Sequence, residues 1–171
     1  HEPADTRARV DALTEQAHRL RHEDTRVALA LAQRAVAAAL RDEGHRRGTI
    51  LARNEVAGRR LAESYGFAWA PDPAGLAGSL LVNVTPLGMA GPDAHVLSFP
   101  EEAIAASDLV FDVVALPADT PLMQAAARAG KLCISGAEVA VLQALEQFVL
   151  YTGVTPTPAQ VEAAAAFARA P

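Results

Sequence analysis

From Gly48 to the end, the chain repeats one pattern: a short run of β-branched and apolar residues, then a stretch with helical spacing. The runs are GTILAR (48–53), SLLVNV (79–84), DLVFDVVA (108–115) and KLCIS (131–135). The helical stretches open and close on local signals. Asn54 caps the helix EVAGRRLAESY, which closes at Gly66, and PEEAIAA forms a short helix. Thr120-Pro121 opens PLMQAAARA, with Pro at the first helical position and Gly130 just past the end. Ser135 and Glu138 have capping-box spacing at the start of the next helix, as do Thr157 and Gln160 at the last. Strands that alternate with helices in this way lie parallel and are joined by right-handed crossovers. The pattern therefore predicts an α/β fold with a doubly wound parallel sheet flanked by helices. Ligands of such sheets sit beyond the carboxyl ends of the strands.

The first 43 residues have another texture. They contain no Gly, and apolar residues recur at helical spacing: Val10, Leu13, Ala17, Leu20, then Val27, Leu31, Ala35, Val36, Leu40. This predicts an N-terminal helical hairpin that turns at HEDT (22–25), with Asp24 capping a second helix that runs to Gly44. The expected division is residues 1–34 as the hairpin and 35–171 as the α/β domain.

Composition removes several functions. A hydrophobic share of 51% with 20% charged residues over 171 positions is that of a globular chain with a substantial core. A net charge of -5 argues against nucleic acid, whose binding needs a basic face. Arg46, Arg47, Arg53, Arg59 and Arg60 are interleaved with Glu55 and Glu63, as on a solvated helix face. No apolar run approaches the ~20 residues of a membrane span and no signal peptide opens the chain, so a cytoplasmic protein without a membrane role is expected. Cys133 sits in an apolar run and is expected to be a buried, inert thiol. His18 and His22 are spaced i,i+4 but have no third ligand, so no metal site is assigned.

The candidate site lies where strands end. The run SLLVNV stops in Asn83, and Thr85-Pro86, Leu87 and Gly88 follow at once. Two readings stand for Asn83: a polar group presented to a bound molecule, or a turn-former closing its own strand. Arg53, at the end of GTILAR, either grips a phosphate monoester bidentately or pairs with Glu55. Asp112 lies inside an apolar strand and is expected to hydrogen-bond backbone, without a catalytic part.

With these residues in view, the chain from about Val36 to Ala170 resembles the C-terminal cofactor-binding half of shikimate dehydrogenases, most of all the shikimate 5-dehydrogenase-like branch. NVTPLGM (Asn83 to Met89) is similar to that family's Asn-Ala-Thr-Pro-Leu-Gly-Met stretch against the nicotinamide end of NADP. FDVVALPADTPLM (Phe111 to Met123) is similar to its strand, loop and Thr-Pro-Leu helix opening, and SGAEVAVLQALEQFVLYTG to its closing helix. ILARN matches the strand end where an Asn-Arg-Thr motif reads the adenosine 2′-phosphate; Arg53 is retained, with Ala52 and Asn54 as its neighbours. The resemblance implies an incomplete Rossmann-like parallel sheet and NADP as cofactor. It implies cofactor contacts at Arg53, Asn54, Asn83, Thr85, Pro86, Leu87, Gly88, Met89, Val114, Gly136 and Val139. Gln143 falls on the family's substrate-contacting glutamine, or is a polar boundary residue of its helix.

Two family parts are missing. A dinucleotide site needs a first strand and a Gly-rich turn, so that backbone N–H groups meet the pyrophosphate at a helix N-terminus. Here EDTRVALALA, of helical character, precedes QRAVAAALRDEGHRRG in that place. The substrate domain, with the family's acid-base lysine and aspartate, has no counterpart, and no catalytic residue is assigned. The N-terminal segment resembles a tetratricopeptide-type helical pair, with Ala17, Ala28 and Ala32 allowing close packing, or is a generic amphipathic hairpin. The junction near residue 33 reads as natural recombination or as a chimera.

The expectation is thus a shikimate dehydrogenase-like NADP domain with cofactor binding weak or lost and no catalysis by itself. The alternatives are an interaction module that uses the hairpin, or a fragment of an active enzyme. Without its central strand, the TILAR and LLVNV strands must pair with each other, pair across chains, or leave open edges. A homo-oligomer, most simply a two-fold dimer through the incomplete sheet or the hairpin, is expected.

Overall fold

A computed structural model of the protein describes residues 25–75 and 78–169. The chain divides into two compact units, His1–Leu76 and Ala77–Pro171.

In the first unit, α1 (Thr25–Asp42) leads to β1 (Thr49–Leu51), α2 (Glu55–Tyr65) and β2 (Ala68–Ala70). α1 is continuous through residues 33–35, and its Leu31, Ala35, Ala37 and Ala38 are buried. With no glycine before Gly44, nothing in the segment favours a tight turn, and Ala and Leu favour the helix. The hairpin's other helix, its turn, Ala17, His18 and His22 lie outside the described residues. β1 and β2 pair in parallel, Thr49 with Ala68 and Leu51 with Ala70. β2 was not among the strands expected from the sequence, because three residues after Gly66 are too few to show a period. Asn54 caps α2 by accepting the N–H of Ala57 at 3.0 Å, and Gly66 closes it in the left-handed conformation at φ 66°. Trp69 on β2 donates its indole N–H to the Ala52 carbonyl at 3.1 Å, and the Arg59 guanidinium lies 4.2 Å from its ring centroid. Gly58 of α2 is buried against that ring, in a place where a side chain would collide with the indole.

The second unit consists of β3 (Leu80–Asn83), α3 (Glu101–Ala106), β4 (Leu109–Asp112), α4 (Pro121–Arg128), β5 (Leu132–Ser135), α5 (Gly136–Thr152) and α6 (Pro158–Arg169). Its strands form one parallel sheet in the order β3-β4-β5, with Asn83, Asp112 and Ser135 side by side at the carboxyl ends. Ile104, Val110 and Leu122 are almost wholly buried, which stabilises by roughly 1.5–3 kcal/mol per side chain. Thr120 caps α4 through Met123 N–H with Pro at its start, and the Ser135–Glu138 capping box is complete at α5.

Of the three arrangements open to β1 and β3, the described residues show no ladder between the two strands; each pairs within its own unit. One expectation about exposure changes. Cys133 is exposed, against the expectation of a buried thiol. β5 is an edge strand, and Leu132, Cys133 and Ile134 in succession are exposed, so the apolar run is only partly covered.

Candidate functional site

The polar residues at the ends of β3 and β4 meet in one buried network. Asn83 is 2% exposed and its amide is fully occupied. Its Nδ2 donates to Asp112 Oδ1 at 3.0 Å and to the Leu87 carbonyl at 3.3 Å. Its Oδ1 accepts Thr85 N–H at 3.0 Å and Thr85 Oγ1–H at 2.6 Å. Asn83 therefore closes its own strand and ties that closure to β4; its side chain does not face solvent. Thr85 Oγ1 in turn accepts Leu87 N–H at 3.3 Å, which folds residues 83–87 into a compact turn.

Asp112 has no exposed surface. Its Oδ1 also accepts Val114 N–H at 3.1 Å, and its Oδ2 accepts Thr120 Oγ1–H at 2.6 Å. The expected backbone bond is thus one of three. Thr120, equally buried, accepts Met123 N–H at 3.3 Å, so the same hydroxyl caps α4 and donates to Asp112. These roles were missed in the sequence. The available signal was a carboxylate within an apolar strand, since a buried charge needs donors around it.

Two glycines bring backbones together here. Gly88 is buried at φ 86°, and a Cβ there would lie 3.1 Å from Thr120 Cβ, so both conformation and space favour glycine. Gly136 packs so closely that a Cβ would lie 2.6 Å from the carbonyl carbons of Val113 and Val114. Of the other residues read from the sequence, Val114 is buried, Leu87 and Val139 are half-buried, and Pro86, Met89 and Gln143 are exposed.

In the first unit, Arg53 is exposed at the end of β1. The alternative in which it pairs with Glu55 is not seen: Glu55 holds Arg59 at 2.8 Å. Asn54 is engaged as the cap of α2. A concavity of about 320 Å³ lined by Ala38, Arg41, Asp42, Ser64, Tyr65 and Gly66 lies at the C-terminal end of α2, at the other end of the helix from Arg53. It holds none of the residues singled out in the sequence.

The chain does not fit a dinucleotide's bridging phosphates through the expected element. Residues 25–33 are helical and without glycine where a Gly-rich turn would offer its amides. Among the described residues no group of three His, Cys, Asp or Glu side chains could hold a metal, and no helix is long and apolar enough to cross a membrane. Burial, and then the neighbouring Glu138, push the Cys133 thiol above its usual range.

The protein is thus an α/β protein of parallel sheets flanked by helices, with polar side chains gathered at the carboxyl ends of β3 and β4. No family model matches the chain. It is 44% identical over 137 residues to a shikimate dehydrogenase-like protein of Haemophilus influenzae, covering 80% of this chain and 51% of the relative. The solved structure of a shikimate 5-dehydrogenase-like protein matches with a TM-score of 0.75 at 44% identity, over 80% of this chain and 51% of that one. A shikimate 5-dehydrogenase of Thermus thermophilus, solved with NADP(H) and shikimate, matches at 0.64 with 29% identity, over 78% of this chain and 50% of that one. The chain is homologous to shikimate dehydrogenase-like oxidoreductases, and its structure matches their C-terminal NADP-binding region. It spans about half the length of the relatives it matches.

Proposed function

We propose that the protein is a shikimate dehydrogenase-like nucleotide-binding domain that binds NADP weakly and does not catalyse hydride transfer by itself. The observation that carries this is the helical state of residues 25–33, which leaves the bridging phosphates without a cradle of amides. Arg53 is assigned to the adenosine 2′-phosphate because it is exposed and is not drawn to Glu55. The turn from Thr85 to Met89 is assigned to the nicotinamide end. Asn83, Val114, Gly136 and Val139 support it from behind, and Asn54 holds the start of α2 near Arg53. Gln143, exposed on α5, is the residue assigned to substrate. Hydride transfer needs a positioned acid-base group, and none is assigned. The exposed free thiol of Cys133 suits a reducing, cytoplasmic compartment.

Calorimetric titration is expected to give a Kd on the order of 1 mM for NADP, about -4 kcal/mol, weakened further by Arg53→Ala, while NAD is held no better. A Kd below about 1 µM, or measurable oxidation of shikimate, would overturn the reading.

A second reading concerns association. α5 buries only Gly136 although most of its residues are apolar, and Leu150 and Tyr151 are 78% and 82% exposed. Its acidic residues are Glu138 and Glu146, with no basic residue among the seventeen, and depletion of charge is the compositional mark of an interface core. We assign this face to a second copy of the chain in a two-fold dimer. Sedimentation showing only monomer at high concentration would refute it.

A further inference from the structure

We infer that Asp112 is a positioning residue, whose carboxylate latches the turn after β3 to the start of α4 and so sets the backbone offered to a ligand at the strand ends. The ligand named here rests on the NADP reading above; the latch itself rests on geometry alone. Three segments meet at this one side chain: the 83–89 turn, 29 residues away, through Asn83, the adjoining 113–114 backbone through Val114 N–H, and the start of α4 through Thr120.

A carboxylate is the group these partners require. All three are donors, and the Thr120 oxygen already accepts Met123 N–H, which leaves its proton for Asp112. An amide at this position would have one acceptor oxygen and would turn its NH₂ toward a donor. The three partners are neutral, and a buried carboxylate without a cation is a poor source of stability. The latch also reaches past its hydrogen bonds. Gly88 rests tightly on Thr120, and Gly136 rests on the Val113 and Val114 backbone without room for a side chain. A shift of Thr120 or of the 113–114 segment therefore moves the turn that carries Pro86 and Met89.

The test uses the full chain with Asp112→Asn and, as a near-isosteric second variant, Thr120→Val. Amide hydrogen exchange is followed at Thr85, Leu87, Val114 and Met123, whose N–H groups donate to side chains of the network, and at Val110 and Phe111 of β4 as reference. In at least one variant that keeps the fold, exchange at the four network amides should rise about tenfold relative to the reference. NADP affinity should fall about tenfold, as expected if the competent turn drops to roughly a tenth of the population. Uniform acceleration across network and reference amides would overturn the latch, and selective acceleration with NADP affinity unchanged would overturn its part in setting the backbone offered to the ligand. If the unaltered chain does not bind NADP, the cofactor reading fails, and the exchange ratio alone decides whether Asp112 holds the turn.

Discussion

Helices α4 and α5 each take part in the same three-stranded sheet's surroundings, yet they are packed in opposite ways. α4 has eight residues and buries Leu122, Met123, Ala125 and Ala126. α5 has seventeen, is the more apolar of the two, and buries only Gly136. At 100° per residue, Leu142, Phe148, Leu150 and Tyr151 are spread around the α5 axis, so the sheet on one side of the helix leaves the other side open. The apolar side of α4 is narrow and one sheet satisfies it. Apolarity creates a demand for cover, and only the surroundings determine whether it is met.

The contrast can be broken at its strongest point first. Leu122→Ala, in the packed helix, should destabilise by about 2–5 kcal/mol in chemical denaturation; a loss below about 1 kcal/mol would show that α4 is packed no better than α5. Gly136→Ala tests the buried contact at the start of α5. Because this glycine has no positive φ, its effect is purely steric, roughly 1–3 kcal/mol in the same measurement. Ser135→Ala removes the hydroxyl of the capping box and should remove about 1 kcal/mol, seen as a lower Tm.

On the open side of α5, Leu150→Ser should alter unfolding of the isolated chain by no more than about 0.5 kcal/mol, while shifting the sedimentation profile toward monomer. If unfolding weakens markedly at concentrations where only monomer exists, α5 is covered within its own chain. The smallest effect is on Cys133. It should react fully with a thiol reagent in the folded protein, with a pH midpoint above that of free cysteine, owing first to burial and then to Glu138. Glu138→Gln should lower that midpoint and speed labelling at a fixed neutral pH, because the repulsion that disfavours the thiolate is removed while partial burial remains.

How much could be read in advance follows from the range of each interaction. The caps at Asn54, Thr120, Ser135 and Thr157 were legible because each rests on contacts three residues apart. Gly66 was legible as the residue that closes α2. The Asn83–Asp112 bond was not, since it joins residues 29 apart and depends on the register of β3 with β4. For Asn83 the two sequence readings resolve toward the turn-former, with a tie to β4 that neither contained. Cys133 was misread because an apolar run implies burial only if something lies over it. The short β2 left no periodic trace, yet its Trp69 organises the packing of Gly58 and Arg59.

By itself the sequence determined, apart from the short β2, the order of strands and helices from Gly48 onward, the helix starts and stops, the helical state of residues 25–42 and the kinship with shikimate dehydrogenases. Those properties rest on neighbours along the chain, where residue type and spacing act directly. Only the tertiary structure decided that Asn83 turns inward, that Asp112 gathers three segments, that β1 and β3 end in separate sheets, and that β5 and α5 remain open. These depend on which distant surfaces come into contact, and a linear pattern of apolar and polar residues states the need for a partner without naming it.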